Sequence, residues 1–395
     1  MIEAIATYLP PWGASSAREA GRDEDAVTLA IAAAAPLTRH DSRPTVRRVV
    51  LVSRDLPLLE GGNAAALLAG LGLDADFEVK EQLGGAPAAL EAVADGEPGT
   101  LVIGSDVAGP AGAAAVLCST EGSDLVMANR LHRSMPVTTR DASGAVTDYA
   151  DPRLLRDLGL TVSLERASVT GKVAAVAGLT GKDAAALCEG DPPALPTVGA
   201  SAPLFALAAL AERGVGGRLL AVEQATVLLA ELGRGPIDVT RDESPAMPIP
   251  QGSFTPGPPI SISLAAYARA FDAKLRLEAE RCTTCGTLAY PRRYRCLGCG
   301  SEAATENFVL PREAEVYTTA TIRVPVPGVT TPYTVVIAEL GDTGVRLLVH
   351  LTGAPAGTVA IGDHGRLVFR RVAMRSGVPD YGYGFLPTNR TEVAA

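Results

Sequence analysis

At 395 residues the chain is longer than one core usually organises, so two or three domains are expected. Hydrophobic content of 47% against 20% charged residues excludes a disordered chain, and the scarcity of aromatics, 4%, favours small-residue helices packed closely on sheets in an α/β core. A net charge of −9 argues against a nucleic-acid surface as its main business, and no apolar run reaches the roughly 18–20 residues a membrane span needs.

Met1-Ile2-Glu3-Ala4-Ile5 carries no basic n-region and no signal-type core, which predicts a soluble, cytoplasmic protein. Ile2 to Leu9 reads as a strand, Glu24 to Leu37 as a helix, Arg47 to Ser53 as a buried strand and Asn63 to Leu71 as a helix. Phe77 to Gln82 reads as a strand and Pro87 to Ala94 as a helix. Thr100 to Ser105, Ala113 to Ser119 and Leu125 to Leu131 follow as three strands in quick succession. This alternation suggests one sheet covered by helices. A shorter passage repeats the logic: Lys172 to Ala177 (strand), Asp183 to Cys188 and Ser201 to Arg213 (helices), then Arg218 to Glu223 and Thr226 to Glu231 (strands). The pattern fits an internally duplicated fold with a trimmed second half.

Gly233 to Ile260 holds seven prolines, which fix φ and remove donors, so residues 236–260 read as an extended linker. Beyond it the composition changes. From Thr255 onward there are 15 Lys/Arg and 12 Asp/Glu, against 20 and 32 upstream, and four of the six cysteines crowd into eighteen positions. Leu264, Tyr267, Phe271 and Leu275 recur at helical spacing behind a Ser263 cap. Ala314 to Val324, Tyr333 to Leu340, Val345 to Thr352 and Arg366 to Val372 read as strands separated by Gly/Pro turns, which fits a small β-barrel.

The strongest motif is Cys282-Thr-Thr-Cys285-Gly286 with Cys296-Leu-Gly-Cys299-Gly300. Two residues between cysteines let one tight knuckle aim both thiolates at one ion, and the following glycine lets the backbone wrap around the sulfurs. Two such knuckles supply the closed tetrahedral set that zinc prefers, structural because no position is left for water. Two disulfides, or an iron or iron–sulfur site, are the rival readings. Between the knuckles, Arg292, Arg293 and Arg295 stand beside Tyr290 and Tyr294. They suit a phosphate clamp or a stacking surface, and equally a solvated hairpin tip.

The ribbon with its Tyr-Pro-Arg-Arg run, the helix before it, the strand-rich stretch Val316 to Val372 and the tail Tyr383-Gly-Phe385-Leu-Pro387 resemble one family. It comprises acyl-CoA-associated proteins in which a rubredoxin-like zinc ribbon precedes an OB-fold. The resemblance covers roughly residues 261–388. It implies that Cys282, Cys285, Cys296 and Cys299 are zinc ligands. It also implies that Arg293, with Arg292 and Arg295 beside it, helps hold CoA, and that the chain partners a thiolase-fold enzyme. The first region resembles the thiolase superfamily, nearest to 3-hydroxy-3-methylglutaryl-CoA synthase and the ketoacyl synthase III type. Ile2 to Pro10, Glu24 to Ala30, Gly84 to Leu90 and Gly199 to Leu204 carry the match. The fold class implied is α/β: a thiolase-like layered α-β-α domain over residues 1–235 with a shortened second half. The linker follows, then a helix and zinc ribbon over 261–310 and a small OB-fold β-barrel over 311–390.

The departures bear on activity. Active relatives place a cysteine at the start of the helix equivalent to Gly85–Ala94, where the helix N-terminus lowers its pKa, and Leu83 occupies that position here. No histidine lies between His132 and His350, and the expected asparagine falls near Pro196. Cys118 and Cys188 read as small buried hydrophobes, His40 and His132 as surface residues and His350 as part of a barrel strand. Asp106 reads as a turn-stabilising aspartate before a loop-end acid. The Thr-Gly-Lys runs at Thr170 and Thr180 lack the earlier glycine of a phosphate loop. No catalytic residue is therefore assigned. The favoured reading is a non-catalytic or auxiliary acyl-CoA-binding component of a hetero-oligomer with a separate thiolase-fold subunit, free of nucleic acid and membrane. The alternatives are an active synthase-like acyltransferase with a non-standard nucleophile and a nucleic-acid-binding zinc-ribbon/OB protein. A net of +3 after Thr255 gives the latter little of the basic groove it needs.

Overall fold

The computed structural model describes residues 1–38, 46–57, 61–135, 138–140, 145–149, 151–179, 181–258, 260–261, 263–302 and 304–389. His40 and Thr180 lie outside the described residues. The N-terminal elements run β1 (Ile2–Leu9), β2 (Trp12–Ala14), β3 (Ala17–Glu19), α1 (Ala26–Thr38), β4 (Arg48–Ser53), α2 (Ala64–Leu71), β5 (Glu78–Leu83) and α3 (Ala86–Ala94). They continue with β6 (Thr100–Asp106), β7 (Gly112–Cys118), β8 (Leu125–Leu131), β9 (Thr138–Arg140), β10 (Val146–Asp148), α4 (Pro152–Leu154) and α5 (Val162–Arg166). The domain closes with β11 (Ala175–Ala177), α6 (Gly181–Leu187), α7 (Ala202–Glu212), β12 (Gly217–Glu223), β13 (Thr226–Leu232) and β14 (Asp238–Glu243).

Two sheets form where the apolar pattern suggested one. The first has the order β14-β1-β7-β6-β4-β5, the second β11-β12-β13-β8. The difference lies in the residues of β8. Every residue of β6 and β7 is buried, as in strands covered on both faces, whereas in Leu125–Leu131 only Leu125 is buried and the rest alternate exposed with half-buried, as suits an outer strand of a separate sheet. Helices α3 and α7 lie between the sheets. Their residues Leu90, Val93, Phe205 and Leu207 join β6, β7, β12 and β13 in one core. Helices α1 and α2 cover the far face of the first sheet, and Leu160, Ala167 and Cys188 cover the far face of the second. This is an α-β-α-β-α layering. Close helix packing rests on small residues: a Cβ at Gly70 of α2 would meet Ile31 Cδ1 of α1 at 2.4 Å.

The linker reading of 236–260 needs correction. Asp238–Glu243 pairs in parallel with β1, from Ala4↔Asp238 to Leu9↔Glu243, as the edge strand β14. Pro236 and Pro245 bracket a stretch that keeps every backbone donor, and an edge tolerates prolines at its ends.

The C-terminal part begins with α8 (Leu264–Phe271), capped as expected by Ser263 Oγ accepting from Ala266 N at 3.4 Å. A small sheet follows, β16 (Leu288–Ala289), β15 (Glu278–Cys282) and β17 (Thr305–Val309) in that spatial order. Strands β18 (Glu313–Ile322), β19 (Tyr333–Leu340), β20 (Arg346–Leu351), β21 (His364–Arg375) and β22 (Val378–Pro387) close a five-stranded barrel in the order β18-β19-β20-β22-β21. The parallel β20–β22 pair closes it, and β22 is the strand hidden in the tail motif.

Barrel and layered domain share one apolar core, in which Phe369, Tyr383 and Phe385 are contiguous with Ile31, Leu67 and Leu68. Their polar contacts are buried too. Arg370 of β21 lies 3.1 Å from Glu24 and donates to Tyr8 Oη at 3.2 Å and Thr352 Oγ1 at 3.0 Å. Tyr381 Oη donates to Asp25, the residue whose other carboxylate oxygen accepts from Val27 N and Thr28 N at the start of α1. Arg276 and Arg312 donate to Leu73 O and Gly70 O at the C-terminal end of α2, where partial negative charge collects.

Candidate functional site

Strand β15 delivers Cys282 to the first knuckle and β17 returns the chain, so the short sheet fixes the base of the ribbon. The two knuckles have the same backbone geometry. Gly286 N donates to Cys282 O at 2.8 Å and Gly300 N to Cys296 O at 3.0 Å, and both glycines sit at positive φ, 74° and 70°. Cys282 N donates to Thr287 O and Cys296 N to Ser301 O, each at 3.0 Å, closing the loops. The four Sγ atoms lie within 4.8 Å of one another, with 3.9 Å between Cys282 and Cys299 and 3.5 Å between Cys285 and Cys296. A tetrahedron of sulfurs about 2.3 Å from a shared ion has edges of about 3.8 Å, so the set fits one tetrahedral metal. The Thr287 hydroxyl, 3.2 Å from Cys285 Sγ, pulls that thiol down to about 6, and Gly298 N donates to Cys296 Sγ at 3.3 Å. No cysteine among the six forms a disulfide.

The three arginines beside the knuckles differ. Arg292 is held by Glu278 at 3.2 Å, Glu280 at 3.7 Å and Asn307 Oδ1 at 3.0 Å. Arg295 is held by Glu302 at 2.6 Å. Arg293 is exposed and has no ion-pair partner among the described residues, and Tyr294 next to it is 86% exposed. Of the three, Arg293 alone keeps an uncommitted charge for an outside anion.

The start of α3 is the second candidate site. Leu83 ends β5, exposed, and Gly84 and Gly85 lead into the helix. The carboxylate of Glu223, the last residue of β12, accepts from Gly85 N at 3.3 Å and is ion-paired with Arg54. A Cβ at Gly85 would lie 2.2 Å from Glu223 Oε1, and one at Gly84 would lie 2.5 Å from Ala88 Cβ. A carboxylate therefore sits against the positive end of α3; Gly84 has no room for a side chain, whereas at Gly85 the atoms met are the movable end of Glu223.

The start of α7 is closed in the same way. Asp106, buried at the end of β6, accepts from Ala200 N at 2.8 Å, Ser201 N at 2.9 Å and Ser201 Oγ at 2.6 Å. Burial pushes its carboxyl up, opposed by those hydrogen bonds. Its oxygens hold the start of α7, nearly a hundred residues away, where the sequence reading had it stabilise a local turn. Cys118 is buried in β7 with its thiol pushed up to about 11 by burial, and Cys188 packs behind the second sheet. His132 stands at the surface 3.7 Å from Glu91, and His350 stacks on Tyr333 at 5.2 Å. Glu223 was missed by sequence reasoning because nothing local marks it.

Comparison with known proteins places the two C-terminal units. The family model described as the ChsH2 rubredoxin-like zinc ribbon domain matches residues 272–305, and that described as the ChsH2 C-terminal OB-fold domain matches residues 309–370. Among solved structures, one described as an Ltp2-ChsH2(DUF35) aldolase is 25% identical, with a TM-score of 0.27, over 34% of this chain and 100% of that chain. The curacin biosynthetic pathway HMG synthase is 16% identical, with a TM-score of 0.46, over 60% of this chain and 80% of that chain. A DUF35 domain-containing scaffold protein of Methanothermobacter thermautotrophicus is 27% identical over 118 residues, 29% of this chain and 88% of the relative. A protein of the same description from Methanocaldococcus jannaschii is 32% identical over 111 residues, 27% of this chain and 78% of the relative. With most of that relative's length matched, and with the ribbon and barrel both present in the fold, the chain belongs to the DUF35 domain-containing family.

Proposed function

We propose that the chain is a non-catalytic, acyl-CoA-associated component of a thiolase-type complex that condenses, transfers or cleaves acyl groups, with structural zinc in its ribbon. The observation that carries this reading is Glu223 at the start of α3. A helix N-terminus activates a thiol by favouring its anion. Here that end already faces a carboxylate, the strand before it ends in Leu83, and no cysteine stands near. The description of the curated relatives as scaffold proteins agrees with an auxiliary role.

The chemistry therefore belongs to a separate thiolase-fold subunit. Edge strand β5, which offers one unpaired side of the first sheet and the exposed Leu83, suits pairing with such a partner. Arg293 suits the anionic end of CoA as a charge-assisted contact. Four thiolates in one cluster suit zinc in a reducing, cytoplasmic setting. No helix among the described residues is long and apolar enough to cross a membrane.

The test is intact-mass analysis after incubation with acetyl-CoA. The wild-type chain should show no covalent acyl adduct, and Leu83→Cys should show none either, because Glu223 opposes formation of the thiolate. A stoichiometric adduct on the wild-type chain would overturn the reading.

A further inference from the structure

The four ribbon cysteines differ in access. Cys282 is buried at the end of β15, Cys285 and Cys299 are exposed, and Cys296 is half-buried. Cys285 and Cys296, with sulfurs 3.5 Å apart, stand on opposite knuckles, and both reach solvent. The other cross-knuckle pair, Cys282 and Cys299 at 3.9 Å, keeps one member inside. Cys118 and Cys188 are buried in the layered domain and offer no competing thiol.

Cys296 lines a depression of about 20 Å³, bordered also by Arg293, Tyr294, Arg295 and Thr287. That is room for a molecule the size of water or hydrogen peroxide and for little else. The charged groups around it are unequal. Glu280 on its rim faces Arg292 at 3.7 Å, and Arg295 is held by Glu302 at 2.6 Å. Arg293 has no ion-pair partner among the described residues. An uncommitted cation thus borders the space in which negative charge appears when a peroxide O–O bond breaks.

We propose that Cys296, with Cys285 as its resolving partner, is an oxidation site for hydrogen peroxide that opens the ribbon. The proposal is independent of the acyl-CoA reading and rests on the zinc reading of the four thiolates. The Cys296 thiolate attacks one peroxide oxygen, the O–O bond breaks, and the sulfur becomes a sulfenic acid while hydroxide leaves. The Cys285 thiolate then attacks that sulfur, the S–O bond breaks, and a second hydroxide leaves as the disulfide forms. Both thiolates are oxidised and one peroxide is reduced, so the step needs no other reagent. Cys282 and Cys299 then remain as ligands, short of the four that a structural zinc site uses, so the ion leaves and the ribbon it holds comes apart.

The test treats the zinc-loaded full chain with hydrogen peroxide, follows zinc release with a chromogenic chelator and maps disulfides by non-reducing peptide mass spectrometry. The expected result is loss of the zinc with a Cys285–Cys296 disulfide, reversed by dithiothreitol and added zinc. Cumene hydroperoxide, too large for the depression, should release none over the same period. Arg293→Ala should slow release by hydrogen peroxide about fivefold, with zinc content before treatment unchanged. Cys285→His, which keeps three thiolates and one imidazole, should still load zinc and give a sulfenic acid on Cys296, trapped by dimedone, in place of the disulfide. If peroxide leaves the zinc bound, if the disulfide joins two cysteines of one knuckle, or if cumene hydroperoxide acts as fast, the proposal falls and the zinc reading stands. A parent chain that holds no zinc overturns both.

Discussion

Replacing Cys282 with Ser should abolish metal binding and unfold the ribbon from Glu278 to Val309. Structural zinc sites contribute apparent binding free energies of about 10–16 kcal/mol in isolated ribbons and fingers, far beyond what this small sheet gains by burial. Most of β17 is exposed, and the ribbon strands give the core only Ala279, with Leu288 and Phe308 packed against it. Elemental analysis should find one zinc per parent chain and none in the variant. Limited proteolysis should cut the variant between 278 and 309 first. The layered domain, whose core does not include the ribbon tip, should keep its protection. Iron in the parent, or an intact variant ribbon without metal, would contradict this.

Arg370→Ala should destabilise the whole chain by about 3–5 kcal/mol, the cost of leaving one partner of a buried ion pair uncompensated. Arg370 and Glu24 are both almost fully buried, 3.1 Å apart, and Tyr8 and Thr352 complete the hydrogen bonding. Removing the guanidinium strands Glu24 between the domains, so the loss should show in chemical denaturation and vary little with salt. Glu24→Gln with Arg370→Met together should recover part of it, since both charges then leave. A loss below about 1 kcal/mol in Arg370→Ala would mean the pair does not hold the domains.

Much of the fold was legible because its elements announce themselves locally. Ile2 to Leu9 begins and ends where β1 does, and the continuous apolar runs at Val49, Val102 and Val116 mark strands covered on both faces. The knuckle spacing carried the metal centre, with both glycines at the positive φ that it requires. What failed was long-range. β14 was masked by its flanking prolines, and its pairing with β1 spans more than two hundred residues. The two-sheet division shows in the alternating exposure within Leu125–Leu131, which the sequence does not display because Leu125, Val126, Met127 and Ala128 are all apolar. Arg292 and Arg295 were open to a phosphate-clamp reading because Glu278 and Glu302 meet them only once the ribbon folds. Glu223, the residue that closes the start of α3, lies 138 positions from Gly85 and belongs to no motif.

The central claim is that this chain serves another subunit's chemistry. Purification of the tagged full-length chain from its own cells, followed by native mass measurement and acyl-CoA turnover assays, tests it most directly. The account predicts a hetero-oligomer containing a separate thiolase-fold chain with an intact cysteine nucleophile, and turnover that disappears when that chain's cysteine is replaced. A stable homo-oligomer of this chain that turns over acyl-CoA by itself would contradict it.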